Sequence, residues 1–170
     1  NRKLNIFMAF FRRVCRIMSK DNNIDFSVST TFQERLSNAF SGDERSKVEI
    51  ARDIGISKDI FIRAIKSGLI PSTRTLIKIA DYLEESIDYL LGFSDVSRQR
   101  KTLEGLSFYE RLEELKNQAN TKYGTIAASV GIYRSQFHSW KNKNLIPSLE
   151  ICYQLALYFK VSLDYLLARE

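Results

Sequence analysis

Apolar residues recur at helical spacing along the chain, and capping residues divide the pattern into short helices. Phe32, Leu36 and Phe40 lie four residues apart, as on one face of a helix. Ser46 with Glu49 three residues later is a capping-box signal. The pattern predicts five helices between residues 31 and 92. Their expected starts are Thr30 or Thr31, Ser46, Ser57, Ser72 and Ser86.

The same pattern occurs a second time. Leu69-Ile70-Pro71-Ser72 matches Leu145-Ile146-Pro147-Ser148, and Asp88-Tyr89-Leu90-Leu91 matches Asp164-Tyr165-Leu166-Leu167. Both pairs are 76 residues apart, so residues 31–92 align with 107–168 without a gap and with 20 identities in 62 positions. A period of this length indicates a duplicated domain. In the second copy, Ser107, Ser148 and Ser162 are expected to cap the equivalent helices.

A helix pair from residue 125 to 148 has the clearest division between apolar and polar faces. Gly131 stands at a tight turn, after which a second helix is predicted from residue 133 to about 142. Phe137 and Trp140 lie on the inner face of that second helix. Its outer face contains no acid and consists of Arg134, Ser135, Gln136, His138, Ser139 and Lys141.

This helix pair resembles the DNA-binding helix-turn-helix of the phage-repressor (Xre/Cro-like) family. The later segments Ile146-Pro147-Ser148 and 161–167 (VSLDYLL) extend the resemblance, which covers residues 31–168. It implies an all-α fold of two tandem lambda-repressor-like five-helix domains. It also implies sequence-specific binding of double-stranded DNA by a bacterial or phage transcriptional repressor.

The resemblance also implies which residues of the second copy contact DNA. Arg134, Ser135 and Ser139 match positions that touch base edges, with Gln136 at the margin. Tyr123 stands where the family usually has a phosphate-binding Gln, and its hydroxyl can still donate to a phosphate. The expected DNA contacts are Tyr123, Tyr133, Arg134, Ser135, Gln136, His138, Ser139, Lys141, Asn142 and Lys143.

The first copy differs from the second on its corresponding helix. Where the second copy has Gln136, His138 and Lys141, the first has Ile60, Ile62 and Ile65. An isoleucine can touch a thymine methyl but cannot exchange hydrogen bonds with a base. The first copy is therefore either a weaker reader of DNA or a domain for protein contacts. It keeps four family contact positions, which are Lys47, Lys58, Asp59 and Arg63.

Charge separates the copies in the same direction. The whole chain carries a net charge of +6, but residues 31–92 sum to −1 and residues 93–170 to +3. Residues 122–143 contain four basic side chains and no acid. Because phosphate neutralisation supplies most sequence-independent affinity, the second copy is the better candidate for DNA binding.

Residues 1–26 are predicted to form an amphipathic basic helix followed by a linker, before domains at 27–92 and 107–170 joined by a linker at 93–106. The helix is expected to pack on its own chain or on a second copy in a homodimer. Two alternatives are contact with a membrane surface and a natural start at Met18-Ser19-Lys20. Its apolar stripe comprises Leu4, Ile6, Phe7, Met8, Phe10, Phe11, Val14, Cys15, Ile17 and Met18.

The sequence contains no motif typical of a metal site or an enzyme active site. Two cysteines and one histidine form no common zinc pattern, and no glycine-rich phosphate loop or nucleophile elbow occurs. We therefore expect no cofactor, no metal and no enzyme activity. Two thiols without a disulfide framework indicate a reducing cytoplasm as the location. The resemblance implies that this cytoplasm is bacterial and that the protein is associated with the nucleoid. The alternative function is a protein-interaction or antitoxin-like module that uses the same fold without reading DNA.

Overall fold

The computed structural model describes residues 25–170, and the expectations for the N-terminal helix lie outside them. In this range every regular element is a helix, so the all-α class is confirmed; pairing of extended chain is limited to isolated bridges. The helices are α1 (Thr30–Ala39), α2 (Lys47–Ile54), α3 (Lys58–Ser67), α4 (Thr73–Tyr82), α5 (Ile87–Leu90), α6 (Phe108–Gln118), α7 (Tyr123–Val130), α8 (Ser135–Lys143), α9 (Leu149–Phe159) and α10 (Leu163–Leu166).

Most helix starts are those that the capping residues predict. Ser46 and Ser107 each form a complete capping box with a glutamate three residues later. Three expectations were wrong. Ser29, rather than either threonine after it, caps α1 by accepting from Phe32 N. Ser148 makes no side-chain cap bond, and α8 begins at Ser135 instead of at residue 133.

The chain divides into two compact units, and the described part of the first unit comprises residues 25–71 with Asp88–Arg98. Here α1 and α2 both pack on α3. Phe32, Leu36 and Phe61 are fully buried. The rings of Phe40 and Phe61 pack edge-on, with their centroids 5.1 Å apart. Gly68 has a φ of +65°, and a Cβ there would lie 2.4 Å from the carbonyl oxygen of Ser29. This turn therefore requires glycine.

The second unit comprises Ser72–Ile87 with Gln99–Glu170, so it takes in α4 from the first copy of the repeat. In this unit α9 packs on α7 and α10, and α10 packs on α6. The apolar face of α4 is fully buried through Leu76, Ile79 and Ala80. At the start of the helix, Thr73 Oγ1 donates to the carbonyl of Pro147 at 2.7 Å.

A buried arginine joins three segments of the second unit. Arg169 is 1% exposed, and its Nε donates to Asp81 Oδ1 at 2.9 Å. Its Nη1 donates to Asp164, and its Nη2 lies 3.0 Å from the carbonyl oxygens of both Glu85 and Arg100. A buried guanidinium is tolerated only with such complete pairing. We call these two carboxylates and two carbonyls with Arg169 the arginine cluster.

The chain between the two copies is hydrogen-bonded within the second unit over part of its length. Arg100 N donates to Glu84 O at 3.0 Å, and Leu103 N donates to Ala168 O at 2.9 Å. Lys101 exchanges two backbone hydrogen bonds with Glu170. Residues 100–103 are therefore held in place, which limits how this part of the linker moves. None of the described helices is long and apolar enough to cross a bilayer.

Replacing Arg169 by methionine should destabilise the second unit strongly. The substitution leaves Asp164, a buried carboxylate, without its cation, and breaking a buried pair from one side costs about 3–5 kcal/mol. The matched control is Lys101→Met, since Lys101 pairs with Glu84 in solvent, and exposed pairs contribute about 1 kcal/mol or less. Denaturant unfolding of both variants measures the difference. Equal stability of the two would contradict a structural role for the arginine cluster.

Candidate nucleic-acid interface

Aromatic packing beneath α8 fixes which face of this helix is outside. Phe137 and Trp140 are buried, and their rings meet edge-on at 4.9 Å. Trp140 also meets Phe108 of α6 at 5.9 Å, and Phe137 meets Tyr123 of α7 at 4.5 Å. Since two aromatic anchors three residues apart prevent the helix from rotating, the exposed side chains of α8 lie on the opposite face.

The connection between α7 and α8 is a tight left-handed turn. Gly131 has a φ of +71°, and Ile132 N donates to Ala127 O at 3.0 Å. Tyr133 follows with 82% of its surface exposed, and its N–H donates to Gln136 Oε1 at 3.1 Å. The side-chain oxygen of Gln136 thus satisfies a backbone donor at the start of α8, where Arg134 makes no side-chain cap bond. Gln136 is half-buried.

The exposed side chains of this region form an acid-free polar surface. We call it the α8 face, defined as the exposed side chains of residues 133–143. It contains no carboxylate, and both basic residues of the last helical turn, Lys141 and Lys143, belong to it. Eight of the predicted contacts are exposed here, which are Tyr133, Arg134, Ser135, His138, Ser139, Lys141, Asn142 and Lys143.

Tyr123 lies differently from the other predicted contacts. It is half-buried, and its hydroxyl donates to the carboxylate of Glu113 and lies 2.8 Å from the hydroxyl of Tyr109. Burial, together with the hydrogen bond to Glu113, raises the pKa of Tyr123. The hydroxyl of Tyr123 therefore donates its proton in a hydrogen bond to Glu113. A phosphate contact through this hydroxyl would require it to leave Glu113.

The hydrogen bond from Lys116, followed by that from Tyr123, lowers the pKa of Glu113. This carboxylate is thus ionised at neutral pH. It accepts a hydrogen bond from Tyr123, the residue that sequence analysis expected to contact a phosphate, and sequence analysis did not include it.

The corresponding surface of the first unit mixes apolar and charged groups. In α3, Phe61 and Ala64 are buried, while Ile60, Ile62 and Ile65 are half-buried. Arg45, just before α2, pairs with Asp43 and with Asp53 at 2.7 Å, so acids are present beside the candidate cations. The four predicted contacts, Lys47, Lys58, Asp59 and Arg63, are exposed.

Arg74 is a basic residue near the α8 face that sequence analysis did not select. It belongs to α4, and its Nη2 donates to the carbonyl of Asn144, directly after α8, at 3.1 Å. Both residues line an open groove of about 1040 Å³ in the second unit, together with Lys78, Lys141, Glu110 and Glu113. Arg74 and Lys78 lie four residues apart on one helix, a spacing that could have indicated a basic surface. The sequence repeat places both residues in the first copy, so they were not considered with α8.

The described residues contain no grouping of His, Cys, Asp and Glu side chains suited to a metal ion. Cys152 is fully buried, and burial raises the pKa of its thiol. Its sulfur lies 3.7 Å from the carbonyl oxygen of Pro147. Cys152 is therefore a core residue of the second unit.

Comparison with characterised proteins gives one informative relative. The chain is 30% identical over 87 residues to the cryptic phage CTXphi transcriptional repressor RstR of Vibrio cholerae serotype O1. The matched region makes up 51% of this chain and 78% of that repressor. No protein-family model matches the chain. No solved structure matches it either.

The interactions of Glu113 predict a pH-dependent contribution to stability. Because the folded-state pKa of this carboxylate is lowered from 4.5, the contribution is fully present above that pH and is lost as the pH falls below it. The free energy of unfolding of the wild type should therefore exceed that of Glu113→Gln at neutral pH, and the two should converge on acidification. Denaturant titrations between pH 3 and pH 7 measure this difference.

The matched control is Glu104→Gln, since Glu104 is exposed and has no hydrogen bond among the described residues. This variant should unfold like the wild type at every pH. A constant gap between wild type and Glu113→Gln across the whole range would show that ionisation of Glu113 is not what stabilises the site.

Proposed function

We propose that this chain, which belongs to the same family as the phage transcriptional repressor RstR, is a transcriptional regulator that binds specific sequences of double-stranded DNA through the α8 face. The observation that carries the proposal is the acid-free polar surface of α8, held outward by the buried rings of Phe137 and Trp140. A helix with such a surface is suited to the major groove, where each base pair presents a distinct set of donors and acceptors. The protein acts as a regulator and not as an enzyme.

In this proposal α7 and α8 are the helix-turn-helix of a repressor-like domain of the Xre/Cro type, and the first copy is its tandem duplicate. The left-handed glycine between α7 and α8 supports the assignment, since it gives the tight turn that the motif needs. Recurrence of the helix pattern supports the duplication: α2 and α5 coincide in bounds with α7 and α10 after a shift of 76 residues.

The contacts divide by position along α8. We assign base-edge contacts to Arg134, at the start of the helix, and to Ser135 and Ser139; all three side chains are exposed, which supports the assignment. Lys141, Asn142 and Lys143 at the other end are suited to phosphates, which fix the orientation of the protein on the duplex. Tyr133 and His138 complete the exposed set.

The two copies contribute unequally. The second unit supplies the α8 face, whereas α3 presents half-buried isoleucines and the first unit holds Asp43 and Asp53 near its own cations. Lys47, Lys58, Asp59 and Arg63 make at most a weaker contact. Val48, exposed on α2, and the isoleucines of α3 favour a protein-contact function for the first unit. This second function and the DNA-binding function are compatible, because they use different surfaces.

The proposal includes a homodimer that acts at the bacterial nucleoid in the cytoplasm. Residues 4–18 are the expected contact between the two chains, and they lie outside the described residues. A dimer would place two α8 faces on one duplex, and half-sites are then expected about 34 Å apart or at a multiple of that spacing.

Arg134→Ala should weaken binding to the preferred site by about 1–3 kcal/mol and change binding to random DNA little, because it removes a base contact. Lys143→Ala should weaken binding to both DNAs about equally, because it removes a phosphate contact. Titration of both variants against a site selected from a random pool, and against a scrambled duplex, measures the two effects. If Arg134→Ala binds the selected site like the wild type, α8 does not read bases through this residue.

Paired substitutions in the full chain compare the two copies. Arg134→Ala with Lys141→Ala in α8 should lower affinity for the selected site roughly tenfold or more. Lys58→Ala with Arg63→Ala in α3 removes the same number of cations and should change the affinity for the selected site little. Both double variants are titrated at low and at moderate salt. A larger loss from the α3 pair would reverse the ranking of the copies.

A further inference from the structure

Arg74 is a basic residue that lies next to the end of α8 in the folded chain although it is distant from α8 in the sequence. It is exposed near the start of α4, in the first copy of the repeat, yet it belongs to the second unit. Its Nη2 donates to the carbonyl of Asn144, which follows α8 directly. The other donors of its guanidinium have no acceptor among the described residues. One hydrogen bond therefore holds this side chain beside the end of α8 and leaves most of its donors open to a ligand.

The acids near Arg74 are already occupied. Glu110 accepts from the N–H and the hydroxyl of Ser107 in the capping box. Glu113 accepts from Lys116 and from the hydroxyl of Tyr123. Both carboxylates line the groove, but neither is hydrogen-bonded or ion-paired to Arg74 in the described part of the chain. The positive charge of Arg74 is thus not neutralised by a direct partner.

A second cation lies on the same groove. Lys141, in the last turn of α8, lines it with Arg74, and its ammonium lies 5.8 Å from the ring centre of Tyr109. Lys143 is exposed two residues further on. A guanidinium and an ammonium on one groove are suited to a tetrahedral oxyanion, because the fork of an arginine matches two phosphate oxygens and the ammonium adds a second positive charge.

We propose that Arg74 contacts a DNA phosphate, so that the DNA interface of the second unit is completed by a residue of the first copy. This inference rests on the proposed DNA-binding function and adds to it a phosphate contact outside the helix-turn-helix. The hydrogen bond to Asn144 holds the guanidinium beside the predicted phosphate contacts Asn142 and Lys143. Arg74 strengthens binding to every DNA sequence and does not itself select one.

The test uses the full chain with Arg74→Gln, which keeps a polar side chain and removes the charge. Binding is titrated over a series of salt concentrations on a selected site and on a scrambled duplex. The magnitude of the slope of log K against log salt should fall by about 0.9, since one phosphate contact is lost. Affinity should fall by the same factor on both duplexes. Arg74→Lys, which keeps the charge, should restore the slope of the wild type.

The matched control is Lys160→Gln, which removes one charge from an exposed lysine of the second unit that does not line the groove. Its salt slope should equal that of the wild type. Melting temperatures of the variants should differ little, because Arg74 and Lys160 are exposed and a single hydrogen bond contributes only about 1 kcal/mol to stability. A salt slope of Arg74→Gln equal to that of Lys160→Gln would overturn the inference, and so would a loss confined to the selected site. If the wild type binds neither duplex, the proposed function itself is overturned.

Discussion

The arginine cluster is the interaction on which the arrangement of the second unit depends. Arg169 is a charge buried near the end of the chain, and its neighbours must supply the hydrogen bonds that water would otherwise give. Those neighbours come from α4 and the chain after it, from the segment between the copies, and from α10. Pairing this guanidinium therefore holds together segments that are distant in sequence. A fragment beginning at residue 93 lacks Asp81 and Glu85, two of the groups that satisfy Arg169, and such a fragment does not contain the complete unit.

Helix α4 connects the arginine cluster to the candidate interface. The arginine cluster binds the end of this helix, while Thr73 and Arg74 at its beginning donate to the carbonyls of Pro147 and Asn144. The chain that follows α8 is thus fixed against α4 at two points. On the other side, α8 is fixed by aromatic contacts of Phe137 and Trp140. A surface supported on both sides would need little reorganisation on binding the DNA that we propose as its ligand.

Two copies with the same helices have different surfaces. Packing needs only the inner positions, and Phe61 of α3 is as fully buried as Phe137 of α8. At the outer positions one copy carries isoleucines where the other carries donors and acceptors. The fold alone therefore does not assign DNA binding to both units, since function depends on the side chains at the surface. Charge follows the same division, with net values of −1 and +3 on the two parts of the chain.

The helices and their inward faces can be predicted from the sequence, because caps, glycine turns and helical periodicity act over a few residues. The limits of α2, the turn at Gly131 and the burial of Phe137 and Trp140 are of this kind. Ser29 was missed because two threonines beside it give an equal capping signal. Only the tertiary structure placed α4 in the second unit, joined Tyr123 to Glu113 and brought Arg74 to Asn144. These features depend on contacts between residues far apart in the sequence, such as Arg74 and Asn144, which are 70 residues apart. A local sequence pattern does not predict such contacts, because they depend on which buried charges and apolar faces pack together in the folded chain.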